Sequence, residues 1–232
     1  SSSRWLSRHS KDPYVLKRSS SDENYRSRSS FKLLSLITRY PLFGQGSNVV
    51  DLGAAPGGWS QVAVKYVFNK QKQDQKVADN KVEQHNVMRE KERRKRGSVF
   101  ALDILPMEPI PDVDIITGDF LDDNDIELGE IGNVEEKDEL LLDCVLSDMM
   151  APMSGIRIRD IQASLDLVRG ATQFAKTKRK LMDSMKFFSH PDLDDFKRQE
   201  LIPFFDKVFV DKPKESRKES SEAYFVCMGY KG

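Results

Sequence analysis

Apolar positions along the chain keep two alternating rhythms. Short runs rich in Val, Ile and Leu break off at an Asp or a Gly; longer stretches repeat an apolar residue every third or fourth position. The first rhythm predicts strands at NVVDLG (48–53), SVFALDI (98–104), VDIITGDF (113–120), LLLDCVLSDM (140–149), KLMDSMKFF (180–188), KVFV (207–210) and EAYFVCMGY (222–230). The second predicts helices at 27–40, 59–70, 156–177 and 192–205. In the first of these, Phe31, Leu34, Leu36 and Ile37 form the apolar stripe, Ser29 or Ser30 stands at the cap, and Pro41 follows the end. In the second, Val62, Val64, Tyr66 and Val67 face inward.

Strands that alternate with helices imply an α/β protein with an open, mostly parallel sheet covered on both faces. Ligands in such sheets lie at the carboxyl ends of the strands. The informative positions are therefore Asp51 to Trp59 after the first strand, Asp103 after the second, Asp119 after the third and Asp148 after the fourth.

Composition changes this picture locally. Lys+Arg and Asp+Glu balance at 37 each over 232 residues. The charge is unevenly placed: residues 1–32 carry Arg4, Arg8, Lys11, Lys17, Arg18, Arg26, Arg28 and Lys32 against Asp12, Asp22 and Glu23, whereas 122–143 is acidic with Lys137 its lone cation. Residues 1–26 read as a basic extension and 27–232 as the domain, interrupted at 69–97 by a charged insertion with almost nothing to bury. That insertion is either a surface excursion or disordered; RNA contact and a solvated spacer both suit it. No apolar run approaches the ~20 residues of a membrane span. Cys144 and Cys227 lie in strand patterns and read as buried free thiols, and with no Cys/His cluster no metal is implied.

The stretch NVVDLGAAPGGWSQ (48–61) carries the first chemistry. Small residues at Gly53, Ala54, Ala55, Gly57 and Gly58 let the backbone run close to a ligand, and the helix start offers free N–H groups. A carboxylate after the second strand, Asp103, suits both hydroxyls of a ribose. A dinucleotide, a mononucleotide and S-adenosylmethionine all meet these demands. The run lacks a clean G-x-G-x-x-G, and Asp51 and Asp148 add carboxylates that repel a pyrophosphate and attract a sulfonium, which favours S-adenosylmethionine. Trp59 fits either the core or a wall beside the cofactor. Asp51 reads as a shaper of the loop through its backbone amides. Lys32, taken alone, is a solvated residue on an amphipathic helix.

Together DLGAAPGGWSQ, ALDILPMEPI, GDF and LSDMMAPMSG, with RSRSSFKL upstream and KPKESRKESSEAYFV downstream, closely resemble the FtsJ/RrmJ family of ribose 2'-O-methyltransferases. RWLSRHSKDPYV and ESRKESSEAYF look most like its mitochondrial large-subunit branch, which methylates a uridine ribose in the peptidyl-transferase A-loop. The resemblance implies a Rossmann-like S-adenosylmethionine-dependent methyltransferase fold with a seven-stranded sheet. It places cofactor binding at Gly57, Trp59, Asp103, Asp119 and Asp148. It implies a catalytic set of Lys32, Asp148, Lys186 and Glu222, with Lys186 assigned by its place on the strand after the long helix. In this role Lys186 is the base, or the hydrogen-bond partner, of the ribose hydroxyl. The chain departs from the family in having no Pro-Gly-Gly turn before that strand and one extra Met after Asp148. The implied partner is large-subunit rRNA or a pre-ribosomal particle, the implied place the mitochondrial matrix, and the expected state a monomer. Lysines and arginines of 4–32 and of KPKESRK (212–218) are the candidate phosphate contacts. Two competing readings are an NAD-dependent oxidoreductase and a non-catalytic RNA-binding assembly factor on the same fold.

Overall fold

The structure is a computed structural model that describes residues 24–68, 97–121, 142–150, 154–177, 182–188, 191–216 and 222–231. The first helix, α1 (Ser30–Arg39), precedes β1 (Asn48–Leu52) and α2 (Gly58–Val67). β2 (Ser98–Asp103), β3 (Asp114–Thr117) and β4 (Cys144–Ser147) follow, then α3 (Arg157–Thr177) and β5 (Met182–Phe188). Helix α4 (Pro191–Phe196) runs on into a wider π turn (Lys197–Leu201), and β6 (Phe205–Asp211) and β7 (Glu222–Tyr230) close the chain. Among the described residues the strands form one seven-stranded sheet in the order β3-β2-β1-β4-β5-β7-β6. The pairs from β3 to β5 are parallel, and β7 runs antiparallel to both neighbours.

Alternation along each strand sends side chains to opposite faces, and helices cover both. Val50, Leu52, Phe100, Leu102 and Val145 pack with Leu165, Val168, Ala171 and Phe174 of α3 and with Leu193 and Phe196 of α4. Val49, Val99, Cys144, Leu146 and Val226 pack with Leu33 and Leu36 of α1 and with Val62, Ala63 and Val67 of α2. Burial on both faces explains why the inner strands read as continuous apolar runs rather than alternating ones. Cys144 and Cys227 are both buried.

Several expectations shift. The fourth helix is shorter than its pattern and ends in the π turn, because Pro203 lacks the N–H a continuing helix needs. Ser29 occupies the cap of α1, but its hydroxyl bonds Ser27 Oγ at 2.8 Å rather than the helix backbone. Tyr25 and Arg26, assigned to the extension by composition, pack within the domain: Tyr25 is buried and stacks edge-on against Phe31. Residues 1–23, nearly all of the insertion (69–96) and the acidic stretch (122–141) lie outside the described residues.

Candidate active site

The carboxyl ends of the parallel strands carry a row of carboxylates. Sheet order places Asp119, Asp103, Asp51 and Asp148 at or just past the ends of four neighbouring strands, β3, β2, β1 and β4. Each is held differently. Asp103 accepts Ala55 N–H on Oδ2 and Leu105 N–H on Oδ1, both at 2.8 Å. It thereby ties the small-residue loop to the end of β2, and each oxygen keeps a lone pair for a further donor. Asp119 accepts Leu121 N–H at 2.9 Å, a local turn.

Asp51 is buried and accepts the Ser60 hydroxyl at 2.7 Å. Of the loop amides expected for it, Ala55 N–H goes to Asp103 instead, and Asp51 takes the Ser60 amide in the first turn of α2. Burial pushes the Asp51 carboxyl up from 3.8 to about 7; the Ser60 bonds oppose this, and the charges of Asp148 and Asp103 add to it. The part of that rise owed to Asp148 and Asp103 marks negative charge gathered at these strand ends, which favours a cation.

The loop between β1 and α2 bends back through left-handed glycines. Gly53 has φ +67° and Gly57 φ +102°, which only glycine adopts cheaply. A side chain on Gly53 would collide with Met149, so the methionine beside Asp148 packs over the loop. A side chain on Gly57 would collide with Ile110. Gly57 itself caps α2.

Arg26 joins the two loops that border this site. Its guanidinium donates to Pro56 O at 3.2 Å, to Glu108 O at 2.6 Å and to Pro109 O at 2.7 Å. The sequence pattern gave this residue no such role; its place in YRSRSS, close before α1, was the available signal. Directly after Asp103, Ile104 and Leu105 stand exposed, an apolar pair at the mouth of the site.

Trp59 resolves towards the core. It is 3% exposed, donates its indole N–H to Ser29 O at 2.9 Å and stacks on Tyr224 with ring centroids 5.7 Å apart. Through that stacking it holds the tyrosine in place.

A second group of residues gathers where β4, β5 and β7 lie side by side. Lys32 is not solvated: it is 7% exposed, and its Nζ meets Glu222 Oε1 at 2.5 Å. Two residues on, and on the same face of β7, Tyr224 donates its hydroxyl to Asp148 Oδ1 at 2.6 Å. Burial, then the Asp148 charge, raises the Tyr224 pKa well above its usual value, so the phenol stays a donor. Lys186 occupies the register position opposite Tyr224 on β5, one residue past Met185, which pairs with Ser147. Because β7 is antiparallel, its first residues lie at the same edge as the last residues of β4 and β5. The structure thus draws Lys32, Asp148, Lys186 and Glu222 to one corner, with Tyr224 as the link that sequence reasoning missed; the period of two in E-A-Y was its signal.

Chemically this is a nucleoside-type cleft with excess negative charge, next to a buried lysine–carboxylate pair. The FtsJ-like methyltransferase family pattern matches residues 25–230. The chain belongs to the FtsJ-like methyltransferase family. It is 34% identical over 232 residues to the ribosomal RNA large subunit methyltransferase E of Francisella philomiragia, spanning 99% of this chain and 96% of that protein. It is 36% identical over 231 residues to the protein of that name from Alkalilimnicola ehrlichii, spanning 99% and 95%. A crystal structure described as a ribosomal RNA methyltransferase from Plasmodium falciparum superposes with a TM-score of 0.68 at 23% identity, covering 90% of this chain and all of that one, a likeness of fold. The family's sheet with helices on both faces is the fold found here.

The residues present fit S-adenosylmethionine. The close-approach glycines leave backbone accessible, Asp103 is oriented with lone pairs to spare, and the carboxylates of Asp51 and Asp148 supply the negative charge a sulfonium favours.

Proposed function

We propose that this protein uses S-adenosylmethionine to methylate a ribose 2'-hydroxyl of large-subunit ribosomal RNA. We place it in the mitochondrial matrix, acting as a monomer on a uridine of the A-loop, in free rRNA or a pre-ribosomal particle. The observation that carries the reading is the corner formed by the buried Lys32–Glu222 pair, the Tyr224–Asp148 hydrogen bond and the register position of Lys186. The substrate class draws support from the bacterial relatives, whose names specify large-subunit rRNA. The finer placement draws on the N-terminal RWLSRHSKDPYV and the downstream ESRKESSEAYF.

The cofactor supplies a methyl group on a positively charged sulfur, a leaving group that needs no further activation. What remains for the protein is to orient the hydroxyl and take its proton. Asp103 receives the donor's ribose hydroxyls, its oxygens already aimed by two amides. Asp148, fixed by Tyr224, brings negative charge to the reacting end. Lys186 accepts the hydroxyl's proton or its hydrogen bond. Glu222 pairs with the Lys32 charge and sets that ammonium in place. Methylating the 2'-oxygen requires RNA, with the target nucleotide unstacked so that its ribose reaches the corner.

The test is methyl transfer from labelled S-adenosylmethionine to large-subunit rRNA, wild type beside Lys186→Ala, with the product mapped for 2'-O-methylation. Transfer by wild type and its loss in the variant, with S-adenosylhomocysteine affinity retained, is expected. Equal turnover by the variant would remove Lys186 from the chemistry. Cofactor binding with no transfer to free rRNA or to precursor particles would favour a non-catalytic assembly factor.

A further inference from the structure

A groove of about 370 Å³ runs along α1 on the side of the loop between β6 and β7, apart from the carboxylate row. Its volume lies within the roughly 300–1,000 Å³ usual for small-ligand clefts. Phe31, Leu34, Ser35 and Thr38 line it from the helix, at the spacing of one helical face, and Lys214 and Glu215 line it from the loop. Arg39 stands at one end, locked by both oxygens of the buried Asp211. Arg28 fixes the loop by donating to Glu215 O at 2.7 Å. The walls are therefore set by named bonds.

Two polar atoms of this loop bear on what the groove takes. Glu215 Oε2 and Ser216 Oγ are buried and have no hydrogen-bond partner among the described residues. Buried polar atoms are nearly always satisfied, and Glu215 lines the groove, so an occupant carrying an N–H can satisfy this second oxygen once the side chain turns towards it. The remaining lining matches one kind of occupant. Phe31 and Leu34 offer an apolar floor, Ser35 and Thr38 hydroxyls, and Lys214 an exposed ammonium. With Arg39 matched by Asp211, Lys214 and Glu215 are left as one charge of each sign, so the groove has little net charge. A bare polyanion would find too few cations, whereas a base with one phosphate finds a partner for each part.

We infer that this groove holds an unpaired nucleotide of the substrate RNA, its base against Phe31 and Leu34 with an N–H edge on Glu215, and its phosphate at Lys214. The inference rests on the RNA-methylating reading, since the same helix and loop lead to Lys32 and Glu222. The groove would fix the strand beside the nucleotide whose ribose enters the corner. It has room for a splayed base, not for a duplex.

The experiment is fluorescence anisotropy with a labelled single-stranded oligonucleotide of large-subunit rRNA, using Ser35→Trp to fill the groove and Lys214→Glu to reverse its cation. Both positions are at the surface or beside it, and folding is checked by S-adenosylhomocysteine affinity, expected unchanged. Each variant is expected to weaken RNA binding about tenfold at fixed salt and to raise KM for RNA without raising KM for the methyl donor. Wild-type RNA affinity in both variants overturns the assignment, as does equal weakening towards a fully paired duplex, which would mean charge alone was read. If wild type transfers no methyl group yet shows this binding pattern, the catalytic reading fails and the nucleotide groove stands.

Discussion

At the scale of single residues, Lys32 and Glu222 show what tertiary structure does to a pattern. On α1 the lysine lies on a helix whose polar positions read as solvated, yet the fold buries it against a carboxylate 190 positions away. Removing one member of a buried pair leaves the other charge uncompensated, at a cost of roughly 3–5 kcal/mol. Lys32→Ala should therefore unfold at lower denaturant, and Lys32→Met with Glu222→Leu should regain most of that stability. Methyl transfer should stay absent in the double variant. Recovery of both together would reduce the pair to scaffolding.

Asp51 makes a prediction in pH. Its folded-state pKa, about 7, lies above the ordinary 3.8, so between those values the folded protein holds a proton that the unfolded chain has lost. Stability from this group is complete below about pH 4, declines at up to about 1.4 kcal/mol per pH unit as pH rises, and is gone above about pH 7. Asp51→Asn should flatten that slope in denaturation curves collected across the range. Ionised Asp51 also attracts a sulfonium. The preference for S-adenosylmethionine over its neutral-sulfur product should thus grow from about pH 6 to about pH 8 in wild type and not in Asp51→Asn.

At the scale of elements, the site depends on loops held by a segment that composition placed outside the domain. Arg26 bridges the carbonyls of Pro56, Glu108 and Pro109, joining the glycine loop to the segment after β2. Hydrogen bonds from a charged donor contribute about 1.5–3 kcal/mol each, and part of that preorganises the cleft. Arg26→Ala should weaken S-adenosylhomocysteine binding by about tenfold, the equivalent of 1.4 kcal/mol, in a calorimetric titration. An unchanged affinity would mean that the loops hold their shape without it.

The elements themselves were readable. Strands β1 and β2 and helix α3 fall where apolar rhythm put them, because inner strands buried on both faces and long amphipathic helices leave strong periodic signals. The π turn after α4 and the division of labour between Asp51 and Asp103 were not readable. Both depend on which backbone groups a neighbouring segment leaves unpaired, and periodicity carries no record of that.

At the scale of the whole molecule, the formal charge is zero, so RNA binding must come from local patches rather than an overall field. Binding to rRNA fragments should fall with added salt, and deletion of residues 1–23 should shallow the slope, since cations that neutralise phosphates release counterions. Salt-independent affinity would argue against phosphate contacts from the basic arm.

The sequence by itself determined the α/β class, the order of strands and helices, the glycine turn and the carboxylates at strand ends. Those follow from local rules: side-chain period, backbone freedom at glycine and the cost of burying charge. Tertiary structure alone decided which residues meet. It turned β7 antiparallel, so that Glu222 and Tyr224 open at the edge where Asp148 and Lys186 end, and it laid α1 across that edge with Lys32 facing in. A chain position carries no information about a partner many elements away until packing brings their strands side by side.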